Sequence, residues 1–334
     1  MSWSHIRGHN AALETFHSAF TRGRLGQAYL LVGPDGVGKR LFAKELAKAL
    51  LCELSPAPLT ACDACPACAQ VEVGSHPDLL ALRTPEGKHE LPIDEMRQFC
   101  VQLSRKPGRG GRKIGIVEDT DDFNAASANS FLKSLEEPPP GGLLLLIATG
   151  TDRQLPTILS RCQVVRFNPL AHADLVAVLA AQGVEDPSHR DRLARLAGGS
   201  VARALALDDE TIWKVREELI AGVTATRPNF TALAETWEAF VIAGKKDSAV
   251  QRTRASVVAG FLVDAMRQAL RLALGASVPG LDPAEETRLR AFAERHGPDK
   301  LIALIEKCVE ADYRLERHVQ LILVIESVLE QFTK

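Results

Sequence analysis

A short apolar run, Ala28–Val32, leads directly into Gly33-Pro-Asp-Gly36-Val-Gly38-Lys39-Arg40, and a helical pattern follows with Phe42, Leu46, Ala49 and Leu50 on one face. Strand, glycine-rich loop and helix form the setting in which G-x-x-x-x-G-K cradles phosphate. The glycines let backbone amides turn toward phosphate oxygens, the helix N-terminus adds positive potential, and Lys39 reaches the outer phosphates. The rest of the first half keeps the alternation. Pro92 opens a helix with Ile93, Met96, Phe99, Cys100 and Leu103 on one stripe, and Lys113–Val117 and Leu143–Ala148 read as strands. A helix with Ala125, Ala128, Phe131, Leu132 and Leu135 lies between those two strands. Such alternation implies an α/β fold, a parallel sheet covered by helices.

After about Phe167 the pattern is helical only, over Ala171–Gln182, His189–Ala197 and Ser200–Leu207, with Gly198-Gly199-Ser200 as a stop followed by an N-cap. Long amphipathic stretches such as Ala249–Leu274 follow, and Leu321, Ile325, Val328 and Phe332 line the last one. The expected organisation is an α/β core over 1–167, a small helical domain over 168–208 and an all-α domain over 209–334. A chain of 334 residues, 46% hydrophobic, has room for them.

Charge excludes a general nucleic-acid glove: 40 basic residues face 42 acidic ones. The one local basic cluster is Arg105, Lys106, Arg109, Arg112 and Lys113, which reads more simply as a solvated loop than as a phosphate contact. No aliphatic stretch approaches the ~18 residues needed to span a bilayer, and the N-terminus lacks a signal-peptide core. A cytoplasmic protein is expected, in which the seven cysteines are not disulfides.

Two departures weaken the phosphate loop. The position after Lys39 should be Ser or Thr, whose hydroxyl holds Mg²⁺. It is Arg40, which cannot ligate a cation. The second strand ends in Glu118-Asp119, the reverse of the Asp-Glu order that holds the metal and polarises water. A loop kept for its shape and a loop that still binds ATP remain equal readings, and hydrolysis by this chain is not expected.

Cys52, Cys62, Cys65 and Cys68 have the spacing of a metal site. Two-residue gaps wrap neighbouring thiolates around one ion, and four sulfurs suit tetrahedral Zn²⁺; an Fe–S cluster and unligated thiols are the rivals. A closed four-sulfur set leaves no position for substrate, so the zinc is expected to be structural. That argues against a zinc enzyme acting on nucleic acid. Cys100 and Cys308 sit on apolar stripes as core residues, and His76 reads as a loop residue.

These motifs occur in a specific order. Gln27-Ala28-Tyr29-Leu30 enters the loop, then come the cysteines, Ser75-His76-Pro77-Asp78, Asn124-Ala125-Ala126 through Asn129-Ser130-Phe131-Leu132-Lys133, Leu135-Glu136-Glu137-Pro138-Pro139, and Ser160-Arg161-Cys162. In this order the chain resembles the AAA+ clamp-loader family of bacterial DNA polymerase III, strongly to Leu170 and in helical outline beyond. The resemblance implies an AAA+ core with a zinc insertion, a helical lid and a helical collar that joins subunits into a pentamer. It implies gamma/tau motor and delta subunits as partners, with the sliding clamp and primed DNA met inside the complex.

By the same resemblance, Arg161 reaches across a subunit interface to a neighbour's ATP, and Thr149 occupies the first sensor position. The second sensor arginine falls near Ala202, one place from Arg203. The nucleotide-site residues carried over are Gly33, Gly36, Gly38, Lys39, Glu118, Asp119 and Thr149. A rigid, largely non-hydrolysing subunit is expected, with an ATP-hydrolysing motor of the gamma/tau type as the alternative.

Overall fold

The computed structural model describes residues 3–85, 88, 90–108, 111–243, 248–278, 281–316 and 320–332. The chain forms two compact units, Met1–Val201 and Ala202–Lys334.

The first unit is built on five strands: β1 (Ala28–Val32), β2 (Leu79–Leu82), β3 (Lys113–Val117), β4 (Gly142–Ala148) and β5 (Gln163–Arg166). All pairings are parallel and the order is β2-β3-β4-β1-β5. β1, β3 and β4 are buried along their whole length, as strands with helices on both faces must be. Their continuous apolar character is what makes them legible in the sequence. The two edge strands have only four residues each, and β5 is exposed at three of its four positions. They carry too little apolar signal to be read in advance, so the sheet has two more strands than the pattern predicts.

Helices α1 (Asn10–Thr21) and α2 (Lys39–Leu51) cover one face, where Phe16, Phe42 and Leu46 pack on Tyr29, Leu31, Leu145 and Ile147. Helix α3 (Pro66–Glu72) belongs to the cysteine segment. On the other face, α4 (Ile93–Leu103) and α5 (Ala125–Glu136) bring Met96, Phe99, Phe131 and Leu135 against Leu30, Val117, Leu144 and Leu146. A single-turn α6 (Pro156–Leu159) precedes β5; α7 (His172–Ala181) and α8 (Pro187–Leu196) then lead into α9 (Val201–Leu207). Asn124 caps α5 by accepting from the Ala126 and Ser127 amides, and Asp186 caps α8 in the same manner.

The second unit is helical: α10 (Glu210–Thr224), α11 (Phe230–Ala243), α12 (Ser248–Ala273), α13 (Pro283–Glu316) and α14 (Leu321–Gln331). Its centre holds Trp237, Leu262, Met266, Leu304 and Cys308, each essentially inaccessible. α13 bends at Gly297, where φ of 72° precedes Pro298. Among the described residues, no helix is long and apolar enough to cross a membrane.

Candidate functional site: a self-capped phosphate loop, an arginine-bearing turn and a cysteine cluster

The loop between β1 and α2 keeps the phosphate-loop shape for steric reasons visible at two glycines. A Cβ on Gly33 would lie 2.1 Å from the Phe167 carbonyl, so any side chain there would displace the segment after β5. Gly38, at the N-cap of α2, has φ of 104°, which only glycine adopts without strain.

The loop's carbonyls and its lysine find their partners within the protein. Lys39, only 5% exposed, donates from Nζ to the carbonyls of Gly33 (2.5 Å) and Pro34 (2.8 Å) and lies 3.6 Å from the Asp35 carboxylate. Ser200 Oγ donates to the Asp35 carbonyl (2.9 Å), the Val201 amide to Gly36 (2.9 Å), and His9 Nε2 to Val37 (2.7 Å). Every carbonyl from Gly33 to Val37 thus has a donor from the first unit. The expected N-cap Ser200 spends its hydroxyl on this loop. His9 and Ser200 lie far from the loop in sequence, and no local pattern announces their roles.

His9 also packs against Phe167, ring centroids 4.7 Å apart. Burial pulls its pKa below the ordinary value, outweighing the Val37 bond and Asp174, which raise it. The imidazole is therefore neutral and carries its proton on Nε2. A lowered folded-state pKa means that the unfolded chain takes up the proton first as pH falls, so stability drops on going below about pH 6.5. Thermal melts between pH 7 and 5.5 are expected to show a shallower decline for His9→Asn than for the wild type. Equal slopes would contradict this role.

The arginine after Lys39 is paired within the protein. Arg40 Nε lies 2.9 Å from Glu118 Oε1, the guanidinium largely in solvent and the carboxylate side chain 12% exposed. Burial raises the Glu118 pKa, Arg40 opposes it, and Asp119 adds to it by like charge. The guanidinium supplies in place the positive charge that a carboxylate at the end of β3 otherwise finds in a metal. Asp119 itself sits in the left-handed region, φ 51°, and its carbonyl accepts from the Asp122 amide. Thr149, at the end of β4, donates its amide to Asp121 Oδ2 (2.6 Å), whose other oxygen accepts from Gln154 Nε2 (2.9 Å). Asp121 therefore ties Thr149 to the segment leading into α6, a role the sequence pattern does not reveal.

Arg161 lies two residues beyond α6, after its C-cap Ser160. Its Nε and Nη2 donate to Glu136 Oε1 (3.0 and 2.5 Å), and its Nη1 donates to the Thr157 carbonyl (2.9 Å) and Ser160 Oγ (3.0 Å). In the second unit, Arg203 Nη1 is engaged by Asp312 Oδ2 at 3.2 Å, and Ser256 bonds the other oxygen of that carboxylate. In the basic cluster, Lys113 is buried within β3 rather than solvated, and Arg109 lies outside the described residues.

The four cysteines converge. Their Sγ atoms lie within 4.8 Å of one another, Cys52 to Cys65 at 4.0 Å and Cys62 to Cys68 at 3.9 Å. A tetrahedral ion with bonds of 2.3 Å requires sulfurs about 3.8 Å apart, so the set fits zinc in donor type and size. Amides of Ser55 and Cys62 donate to Cys52 Sγ, that of Cys65 to Cys62 Sγ, and that of Cys68 to Cys65 Sγ. Burial works against the Cys65 thiolate, yet amide donors, Cys68 first, hold its pKa at about 6. Burial and the neighbouring sulfurs push Cys68 upward. Four sulfurs this close cannot all ionise without a cation among them. Cys65 also caps α3, which ties the cluster to helical structure.

Fold and loop together define a parallel α/β core with a P-loop-shaped turn, whose carbonyls are met by protein donors and whose Arg40 is paired with Glu118. The chain matches the family described as DNA polymerase III, delta subunit over residues 8–171. It is 37% identical over 221 residues to the DNA polymerase III subunit delta' of Pseudomonas aeruginosa, covering 65% of this chain and 67% of that one. To delta' of Escherichia coli it is 28% identical over 294 residues, 87% and 84% of the two chains. To subunit tau of Escherichia coli it is 30% identical over 216 residues, which is 63% of this chain but 33% of tau. The chain belongs to the delta' family of clamp-loader subunits of DNA polymerase III.

Proposed function

We propose that this chain is a non-hydrolysing stator of the clamp loader, which helps place the sliding clamp on primed DNA by lending Arg161 to the ATP site of a neighbouring motor subunit. The observation that carries the reading is the Arg40–Glu118 ion pair. Arg40 stands at the sequence position where hydrolysis needs a Ser or Thr hydroxyl for Mg²⁺, and a cation held on Glu118 would repel the metal instead of ligating it. The gamma/tau motor reading would require Ser or Thr at Arg40 and Asp-Glu at Glu118-Asp119.

Gamma/tau motors and delta are the partners in this reading, in a hetero-oligomeric pentamer held by the all-α region over 209–334, with a lid over 168–208. The zinc held by Cys52, Cys62, Cys65 and Cys68 is structural, since four protein ligands leave no open position for chemistry. The work takes place in the cytoplasm.

The test is ATP turnover by tau-type motor subunits assembled with this chain, wild type or Arg161→Ala, beside the chain alone. The chain alone is expected to bind no Mg·ATP by calorimetry and to be silent in turnover. Turnover by the chain alone, or an assembly indifferent to Arg161, overturns the reading.

A further inference from the structure

Arg161 is not presented bare. A guanidinium has five N–H bonds to give, and here four are engaged: Nε–H and one from Nη2 on Glu136 Oε1, and both from Nη1 on Thr157 and Ser160. One N–H of Nη2 remains. Arginine recognises phosphate through two parallel N–H bonds from one edge, and the Nε/Nη2 edge that could supply them is the edge Glu136 covers. The carboxylate also cancels the charge that makes an arginine useful to a transferring phosphoryl group.

Glu136 is an odd residue to find at this place on helical grounds alone. It is the last residue of α5, where the helix dipole disfavours a carboxylate and favours a cation. Pro138 and Pro139 follow after the C-cap Glu137, so the helix end is fixed and the carboxylate has little freedom to drift. Both partners are solvent-accessible, Arg161 at 33% and Glu136 at 50%, so the pair can exchange for another anion without unpacking a core.

We propose that Glu136 is the positioning residue of Arg161: it parks the guanidinium in cis as a neutral pair and yields it when a neighbouring subunit presents nucleotide phosphate. Thr157 and Ser160 keep the guanidinium aimed during the exchange, and loss of Glu136 frees the two N–H bonds of the Nε/Nη2 edge that it holds. The proposal rests on the trans role of Arg161.

The experiment uses the assembled complex with tau-type motors and ATP, without DNA or clamp, and compares wild type, Glu136→Gln, Arg161→Ala and the double variant. Glu136→Gln is isosteric at an exposed position and keeps the fold. Unstimulated turnover is expected to rise, or the KM for ATP to fall, by about two- to fivefold, the scale of an exposed ion pair. The double variant is expected to match Arg161→Ala alone. No change or a decrease in Glu136→Gln overturns the proposal, and so does a gain that survives in the Arg161→Ala background. If Arg161→Ala itself matches wild type, the trans reading fails and the proposal falls with it.

Discussion

Arg161→Ala is expected to slow ATP hydrolysis about a thousandfold at the motor site to which we propose it is lent, the lower end of what a trans arginine contributes to phosphoryl transfer. The size follows from electrostatics. Charge spreads over the equatorial oxygens of the transferring group, and a planar cation with a fixed fork of donors stabilises it in a site from which water is excluded. Arg161→Lys is expected to recover little, since an ammonium cannot present two parallel donors. The fold is expected to survive, because the side chain is partly exposed and its partners Glu136 and Ser160 are at the surface. Bulk turnover falls only by the share of sites that depend on this chain, so single-turnover kinetics is the sharper measure. An unchanged rate constant for every site in the assembly would remove Arg161 from the chemistry.

How far the sequence carries such an argument depends on whether the signal is local. β1, β3 and β4 announce themselves because strands buried on both faces are apolar throughout. The edge strands β2 and β5 and the helix α1 do not, since their identity comes from pairing and packing with distant residues. The same division runs through the site. Arg40, Glu118 and the cysteine spacing are read from neighbours in sequence, and the structure then joins Arg40 to Glu118 across 78 positions. His9, Ser200, Asp121 and Glu136 are ordinary polar residues until the fold brings each to a loop carbonyl, a strand end or an arginine. Their work is a matter of contact at long sequence separation, which a single chain of letters does not encode locally.

The cysteine segment gives the other large expected effect. Its own cluster is Ala61, Cys65, Ala67 and Cys68, with Cys52 and Cys62 against them, and its larger buried apolar side chains, Leu59 and Val71, are not part of that cluster. Leu59 reaches the main core, Trp3 Nε1 donates to the Leu59 carbonyl at 2.7 Å, and Lys48 bridges Glu45 of α2 (3.0 Å) to Asp63 (2.8 Å). These contacts anchor the segment at its base but do not close it. In the proposed reading a metal does that, and structural zinc supplies about 10–16 kcal/mol in small modules. Metal analysis is expected to find one zinc per chain. Chelation, or Cys65→Ser, is expected to open the stretch from Cys52 to Val73 to proteolysis while the sheet and α2 persist, because Lys48 keeps Glu45 as a partner. Trp3 reports the event: its emission is expected to shift to the red, with Trp213 and Trp237 of the second unit unaffected, and a Trp3→Phe background is expected to abolish the shift. Iron in place of zinc would replace the ion in this account. A metal-free protein with unchanged protease resistance and unchanged Trp3 emission would show that the sulfurs close the segment unaided, which their mutual repulsion within 4.8 Å argues against.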